Sequence, residues 1–392
     1  MNRQQFIVVL AALVALVAAG AGVAWWKRSS YEVADARVGQ RLLEGFKVDD
    51  VAEIALAGPK ETVTLVRGDT GWTVKERGGF PADVEPIRDL LLKLQELKVV
   101  QAEGISDAVK PRLQLGVPGG GAKPEETGTA VELKSRDGKT IARLVLGKKA
   151  VRESKVAGLG DGLPSGRYVW VAADPQRVNV VSEPFSSLAL QPQDWLAKEL
   201  LRLERPKSLT VSGPDGKERW SVAKETEAGA WTLAGPGKLD PGKAQDAASA
   251  LYALRISDVG STGVSDADAG LDKPTTVRAT TFEGWNYEVL VGKQAPGDLY
   301  YVKTSVNGVV PEAPAAPADA KPEEKEKSDK AAAERKEFIA AKLAREQAVA
   351  GRTVLVAKSS VEPLLRDRAA LLVVAKPKDE KSKDAKSRGA KK

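Results

Sequence analysis

The stretch from Gly237 to Lys243 has the glycine and lysine spacing of a phosphate-binding loop. In such a loop, backbone amides and the lysine bind phosphate oxygens, and a Ser or Thr after the lysine binds Mg²⁺. Ala244 occupies the position of that hydroxyl residue, and a related earlier stretch, Gly78–Val84, lacks the second Gly-Lys pair. We therefore interpret residues 237–243 as a turn that connects a hairpin to a helix, and we expect no cofactor.

Three aspartates, Asp266, Asp268 and Asp272, lie within one short segment, and carboxylates at this spacing begin calcium-binding loops. The acidic residue that would complete such a loop is replaced by Val277. The chain contains no His and no Cys, so the usual ligands of zinc are missing as well. We expect a solvated turn at these aspartates and no metal site.

A serine nucleophile would need a base, and in a chain without His only a lysine could supply it. The pairs available at short spacing are Ser154 with Lys155, and Ser221 with Lys224. Adjacent residues of a strand point to opposite faces of the sheet, and both regions are predicted to be loop or hairpin. The sequence therefore predicts no catalytic, cofactor-binding or metal-binding residue, and a protein that is not an enzyme. It leaves the partner-binding residues unknown.

The elements that could position a site are organised around Thr62–Leu97. Val63 and Leu65 alternate with polar residues, a Gly-rich turn follows, and the alternation resumes at Trp72, which together predict a β-hairpin. Asp83 lies after a proline turn and is a suitable helix N-cap. Apolar residues then recur at steps of three and four and predict an amphipathic helix, with the apolar stripe Val84, Ile87, Leu90, Leu91, Leu94 and Leu97.

A later stretch repeats these elements in the same order. Alternating residues around Leu209 and Trp220 predict strands, Trp231 matches Trp72 in position, and Asp240-Pro241 precedes a second helical pattern. Further matches come after each helix. Two pairs of strands match: Thr129–Ser135 with Thr275–Phe282, and Thr140–Leu146 with Trp285–Val291. Each second strand is followed by a Gly-Lys pair, Gly147-Lys148 or Gly292-Lys293. Near the end of each repeat, Val178–Leu190 is similar to Val354–Leu365. The pattern predicts an α+β fold: two tandem repeats, each an antiparallel sheet with a packed helix.

Residues Phe6–Trp26 contain no charged side chain, and a run of this length can span a bilayer as a helix. Trp25-Trp26 followed by Lys27-Arg28 is typical of the interface between the bilayer and water. A cleaved signal peptide is the alternative, because Ala19-Gly20-Ala21 resembles a cleavage site. The length of the apolar run favours an uncleaved N-terminal transmembrane helix.

The formal net charge of +7 is concentrated at the two ends of the chain. Residues 376–392 hold eight basic and three acidic residues, and residues 1–28 hold three basic residues and no acid. The remaining chain is therefore close to neutral and shows no basic face interleaved with aromatic residues. We expect no binding to nucleic acid.

The predicted organisation has four parts. Residues 1–28 form the transmembrane anchor, 29–200 the first repeat, 201–375 the second repeat, and 376–392 a basic disordered tail. The second repeat carries an insertion at 311–337 whose residues are almost all Pro, Ala, Glu, Lys and Asp. Such a segment cannot bury enough apolar surface to order itself, and only its downstream end, near Phe338, is predicted to become helical.

Several of these features together resemble the bacterial domain of unknown function 4340 family. They are the anchor, the segment Arg41–Val51, the hairpin with its Gly-Trp, the Phe-Pro-Ala-Asp turn with its leucine helix, and the Leu-Xaa-Xaa-Pro and Leu-Gly-Lys segments. The likeness covers Phe46–Leu201 well and the second repeat more loosely, and the insertion at 311–337 departs from it. Members are typically encoded beside ABC-type transport components that resemble those of gliding-motility systems. The resemblance implies an accessory role at the membrane and supplies no site residues.

Two functions follow as expectations. The first is a membrane-anchored, non-enzymatic accessory or scaffold protein that binds protein partners in an ABC-type transport complex. The alternative is an envelope protein that holds a glycan or a small molecule in the cleft between the two repeats. The positive residues that flank the anchor favour a cytoplasmic body, but long C-terminal domains are often translocated regardless of such charges. The family resemblance favours a single-pass protein of the inner membrane with a periplasmic body.

Overall fold

The computed structural model describes residues 37–151, 164–261, 263–310 and 322–373. They form two compact units, each with an antiparallel sheet and few helices. The first unit contains the described residues up to Glu76 and Ala82–Trp195; the second contains Arg77–Pro81 and the described residues from Leu196 onward. The sequence places the boundary of the repeats between residues 200 and 201. The predicted anchor and basic tail lie outside the described residues, within which no helix is long and apolar enough to cross a membrane.

The first unit contains one long helix, α1 (Val84–Gln95), and a sheet. Eight strands of the sheet follow the order β3-β2-β1-β6-β7-β8-β9-β5. These strands are β1 (Glu53–Ala57), β2 (Thr62–Gly68), β3 (Gly71–Val74), β5 (Val99–Gly104), β6 (Thr129–Lys134), β7 (Thr140–Val151), β8 (Pro164–Val171) and β9 (Arg177–Val181). The two-residue strand β4 (Phe80–Pro81) comes between β3 and α1 in the chain, and its residues belong to the second unit.

Helix α1 begins as its sequence predicts, because the Asp83 carboxylate accepts a hydrogen bond from the Glu85 amide at 3.1 Å. Five residues of the predicted apolar stripe are buried: Ile87, Leu90, Leu91 and Leu94 in the helix, and Leu97 directly after it. Val84 is the exception, since it lies half exposed in the first turn of the helix. Its assignment to the buried stripe is wrong, because the first turn projects beyond the surface that the later turns bury.

Strand β1 is absent from the predicted elements, although it lies at the middle of the sheet. It pairs with β2 on one side and β6 on the other, and its Ile54 and Leu56 are fully buried. The alternating run is short and alanine occupies two of its positions, so its period is weak. The predicted hairpin is therefore part of a meander of three strands.

The described residues of the second unit contain a second sheet and four α-helices. Its strands follow the order β13-β12-β11-β15-β16-β17-β18-β14-β10. The strands are β10 (Glu199–Leu201), β11 (Pro206–Ser212), β12 (Glu218–Ala223), β13 (Thr232–Leu233), β14 (Leu254–Val259), β15 (Thr275–Thr281), β16 (Asn286–Ala295), β17 (Leu299–Asn307) and β18 (Val354–Ala357). The helices are α2 (Pro241–Tyr252), α3 (Asp266–Ala269), α4 (Pro322–Ala348) and α5 (Lys358–Leu365), of which α3 is a single turn.

The two sheets share one strand order. Reading from β3 to β5 in the first unit and from β13 to β14 in the second, eight strands correspond in position and in chain order. The long helix has the same place in the order of elements of both units. Helix α1 lies between β4 and β5 in the sequence, and α2 lies between β13 and β14. Trp72 lies in β3 and Trp231 directly precedes β13, so these two residues occupy corresponding places.

The connection between β17 and β18 distinguishes the second unit from the first. Residues 172–176 join β8 to β9, whereas the corresponding connection in the second unit contains α4. The sequence predicts a helix only near Phe338, but α4 already begins at Pro322, so the expectation of a structureless segment up to residue 337 is wrong for residues 322–337. Alanine, lysine and glutamate are good helix formers, and this local preference orders the segment without burying it.

Candidate functional site

A buried polar cluster lies where α4 packs on the sheet of the second unit. The Lys342 ammonium donates a hydrogen bond to the Tyr287 hydroxyl at 3.1 Å, and that hydroxyl donates to the Glu346 carboxylate at 3.0 Å. The other carboxylate oxygen accepts the backbone amide of Arg202 at 2.9 Å. The exposed fractions are 5% for Lys342, 6% for Glu346 and 3% for Tyr287. We call these three residues the α4 cluster.

Helix α4 positions the cluster through its C-terminal half. Ile339, Leu343 and Val349 are buried, and Lys342 and Glu346 lie between them on the same face at a spacing of one turn. The helix packs on β17, whose neighbour β16 carries Tyr287. In contrast, residues 326–331 and 333–338 of α4 are exposed. The sheet therefore holds the helix by one end.

Two further groups surround the Lys342 ammonium. It lies 5.0 Å from the centre of the Trp285 ring and 5.7 Å from that of Tyr287, distances at which an aromatic face attracts a cation. The carboxylate of Glu204 lies 4.0 Å away and that of Glu346 3.7 Å away. A buried cation requires such partners, because an unpaired charge in the interior is strongly unfavourable.

Burial changes the proton affinities of the two acidic members. It raises the pKa of the Tyr287 hydroxyl, and the negative charge of Glu346 raises it further. Burial also raises the pKa of Glu346, although its hydrogen bond from the Arg202 amide and the charge of Lys342 oppose the shift. Tyr287 thus keeps its proton at neutral pH and cannot serve there as a base. The cluster is a chain of hydrogen bonds that ties the helix to the sheet.

The stretch Gly237–Lys243 does not form an open phosphate cradle. Leu239 pairs with Leu372 in an isolated β-bridge, and the Asp240 amide donates to the Leu371 carbonyl at 2.8 Å. The Gly242 amide, at the start of α2, donates to the Asp240 carboxylate at 2.9 Å. The chain itself therefore uses the groups that would receive a phosphate, as expected for a turn before a helix.

Two of the three aspartates singled out in the sequence have partners within the chain. Asp266 pairs with Lys303, and Asp268 bonds to the Ser265 hydroxyl at the start of α3. In the described part of the chain, no group of three or more His, Cys, Asp or Glu could hold a metal ion. Asp266 and Asp268 thus form surface and capping contacts, and Asp272 is exposed.

Of the two Ser-Lys pairs in the sequence, the structure describes only Ser221 with Lys224. The Ser221 hydroxyl lies 3.0 Å from that of Thr210, whereas the Lys224 ammonium stacks over the Trp231 ring, 4.9 Å from its centre. Each side chain thus has its own partner in the second unit. Ser154 and Lys155 lie outside the described residues.

A family model for the Domain of unknown function (DUF4340) matches residues 72–274, just over half of the chain. This chain belongs to the DUF4340 family. Comparison with curated proteins and with solved structures finds no match. The DUF4340 match begins in β3 and ends directly before β15, so Tyr287, Lys342 and Glu346 lie beyond it.

The α4 cluster is what sequence reasoning missed in this DUF4340 chain. One signal was present: Lys342 and Glu346 lie on the same helical stripe as Ile339 and Leu343, where a solvated helix would not place charges. Their partner Tyr287 is 59 residues from Glu346, and no local pattern connects them. The corresponding position in the first unit, counted from the shared Gly-Lys, is Ala142, which has no side chain to form such a bond.

We expect the contribution of Glu346 to stability to depend on pH. Because the folded protein raises the pKa of Glu346 above its ordinary value of 4.5, folding favours the protonated form. This contribution is fully present below pH 4.5 and is lost as the pH rises through the folded-state pKa. Glu346→Gln cannot titrate. The stability of the wild-type chain, measured relative to this variant by urea denaturation, should therefore fall as the pH rises above about 4.5.

Glu337→Gln is the matched control for this experiment, because Glu337 lies exposed on the same helix. The pH-dependent change in stability relative to the wild-type chain should be larger for Glu346→Gln than for this control. If the wild-type chain instead gains stability relative to Glu346→Gln as the pH rises, the cluster favours the carboxylate. The pKa of Glu346 is then lowered in the folded protein, and the prediction is wrong.

Proposed function

We propose that this protein is a non-enzymatic accessory protein that binds protein partners in an ABC-type transport complex. The observation that carries the proposal is that the groups best suited to chemistry in the described chain are bonded to other residues of the chain. Tyr287, Lys342 and Glu346 satisfy one another, and Ser221 and Asp266 have partners of their own. Such an arrangement supports a role in binding, since Tyr287, Lys342 and Glu346 are buried and hold α4 on the sheet.

The same proposal places the protein at the inner membrane with a single N-terminal span and a periplasmic body. The uncharged run Phe6–Trp26 supports the span, and the basic pair Lys27-Arg28 supports an interface directly after it. Two units with one strand order support a duplicated module carried by this anchor. The link to an ABC-type transporter rests on the family resemblance.

Copurification from membranes tests the proposal. The full chain with a C-terminal affinity tag is solubilised from the membranes of its host in two mild detergents, and the eluate is analysed by mass spectrometry. A matched variant replaces residues 1–28 by a cleavable signal peptide. We expect ABC-transporter components to be enriched with the full chain about tenfold over an unrelated single-span protein, which corresponds to ~1.4 kcal/mol of preferential association. The unanchored variant should lose most of this enrichment.

Failure to enrich any transporter component in both detergents would overturn the proposal. Membrane fractionation and protease access in spheroplasts test the anchor and the orientation separately. The alternative, a protein that holds a glycan or a small molecule, is supported instead if the chain purifies without a protein partner and retains an extractable ligand.

A further inference from the structure

A cavity of about 220 Å³ lies within the first unit, between α1 and the segment from Phe185 to Trp195. Leu90 of α1 and the side chains of Phe185, Leu188 and Trp195 form much of its apolar wall. Three charged residues line it as well: Asp89, Lys93 and Asp194. No motif considered above involves this cavity, and the α4 cluster lies in the other unit.

The second unit fills the corresponding place with a helix. Strands β9 and β18 correspond in the two sheets, and α5 directly follows β18 and packs on α2. Val361 and Leu364 of α5 are completely buried there. After β9, residues 182–191 contain no helix or strand, and a 3₁₀ turn follows at Pro192–Trp195. The first unit therefore leaves a space beside its long helix where the second unit has packed side chains.

Hydrogen bonds hold the wall of the cavity in place. Arg167 donates to the Gly147 carbonyl at 2.8 Å and to the carbonyls of Pro184 and Phe185, both at 3.4 Å. The Phe185 amide donates to the Glu183 carboxylate at 2.9 Å, although Phe185 has a φ of 48°. A non-glycine residue in this conformation requires support from its surroundings. These bonds fix the segment that forms one side of the cavity.

The rim of the cavity has an excess of negative charge. Lys93 pairs with Asp89 at 2.8 Å, and this hydrogen bond is the main reason why the pKa of Lys93 is raised, with Glu183 contributing. Asp194 is exposed and remains as a second carboxylate at the rim. An apolar wall with a surplus of carboxylates is complementary to an apolar group that lies beside a cation.

We propose that this cavity is an anchor pocket for a protein partner, and that it takes one large apolar side chain, aromatic or aliphatic, beside a lysine or arginine of that partner. The proposal rests on the partner-binding function proposed above and names the surface that performs it. The volume favours a single side chain, because sites for small molecules span about 300–1,000 Å³ and this cavity is smaller. Pockets that accept single anchor side chains are typical of the energetic centres of protein interfaces.

The basic tail of the chain itself does not fit this description. Residues 376–392 supply lysines, but they contain no aromatic residue and no Leu, Ile, Val or Met. Lysines of the tail could pair with the carboxylates at the rim, but the tail has no large apolar side chain to fill the cavity. The proposed occupant is a segment of a protein partner, in keeping with the proposed function.

Short peptides test the proposal on the full chain in detergent micelles. The probe is acetyl-Gly-Lys-Phe-Lys-Gly-amide, and the controls replace its Phe by Ala or both Lys by Glu. The readout is the ¹⁹F signal of Trp195 in protein labelled with 5-fluorotryptophan, assigned with Trp195→Phe. We expect a saturable shift with the probe and at least about tenfold weaker binding of each control, since the Ala peptide lacks the anchor and the Glu peptide has the wrong charge.

Two variants of the chain locate the binding. Ala189→Leu adds volume to the lining and should abolish the shift. Asp194→Lys changes an exposed residue without altering the core, and should weaken the probe about fivefold. Glu103→Lys is the matched control, because Glu103 is an exposed residue of β5 that does not line the cavity. It should leave the affinity unchanged.

Several results would overturn the anchor pocket. They are the absence of a saturable shift up to about 10 mM probe, equal binding of the Phe and Ala peptides, and equal effects of Asp194→Lys and Glu103→Lys. The copurification experiment separates this failure from that of the proposed function. If transporter components still copurify with Asp194→Lys and Ala189→Leu, the partner binds elsewhere and only the pocket is refuted.

Discussion

Lys342→Met is expected to lower the free energy of unfolding of the second unit by about 3 kcal/mol, because it removes the cation from a buried set of charges. The Glu346 carboxylate would remain in the interior with only the Arg202 amide and the Tyr287 hydroxyl as partners. The Tyr287 hydroxyl would also lose the hydrogen bond that it accepts from Lys342. Methionine keeps the apolar stem of the side chain, so the loss reports on the charge and its hydrogen bond.

Hydrogen–deuterium exchange gives the local readout for this variant. The amides of α4 and β16 should lose protection together, because the cluster joins the helix to that part of the sheet. Urea denaturation of the full chain gives the change in stability, with the transition of the second unit assigned from the same exchange data. Lys336→Met is the matched control, since Lys336 is exposed on α4, and it should change stability by less than about 0.5 kcal/mol.

The double variant Lys342→Met with Glu346→Gln distinguishes charge from packing. If the loss comes from a carboxylate left without its cation, neutralising Glu346 should restore more than half of it. If the double variant is as unstable as the sum of the two single variants, the cluster contributes through independent contacts and the proposed coupling is wrong.

The sequence predicts those parts of this fold that local chemistry determines. The cap Asp83 and the alternating strands after each helix were readable because each depends on neighbours within a few residues. The α+β class followed from the same patterns. Strand β1 was missed because its period is short, and its central place follows only from long-range pairing with β2 and β6.

The candidate sites depend on contacts that local patterns do not contain. The α4 cluster joins residues separated by 55 and 59 positions across an insertion. The cavity beside α1 arises because similar segments, Val178–Leu190 and Val354–Leu365, end differently: one continues as α5 and the other without a helix. In the first unit, Arg167 donates to three carbonyls that include those of Pro184 and Phe185, and these bonds hold the segment after β9. No periodicity in the sequence indicates these bonds.

The Gly-Lys pairs of the two units show how a shared motif can have a purely steric origin. A Cβ atom on Gly147 would lie 2.4 Å from the Leu113 carbonyl oxygen, and one on Gly292 would lie 2.2 Å from that of Ala269. In the first unit the backbone at Leu113 passes close to Gly147, and in the second unit the backbone at Ala269 passes close to Gly292. Glycine is required at both places by the close approach of a backbone oxygen, which cannot move as a side chain can.

Gly292→Ala and Gly147→Ala should therefore each destabilise their own unit by about 3 kcal/mol, at the upper end of the usual cost of overpacking. Gly104→Ala is the matched control, because no atom lies within 4 Å of a Cβ at that position of β5. It should change stability by less than about 0.5 kcal/mol. The measurement is urea denaturation of the full chain with exchange of β7 and β16 as local readouts. Loss confined to the substituted unit is expected, whereas an alanine tolerated at residue 292 would mean that the crossing backbone is free to move.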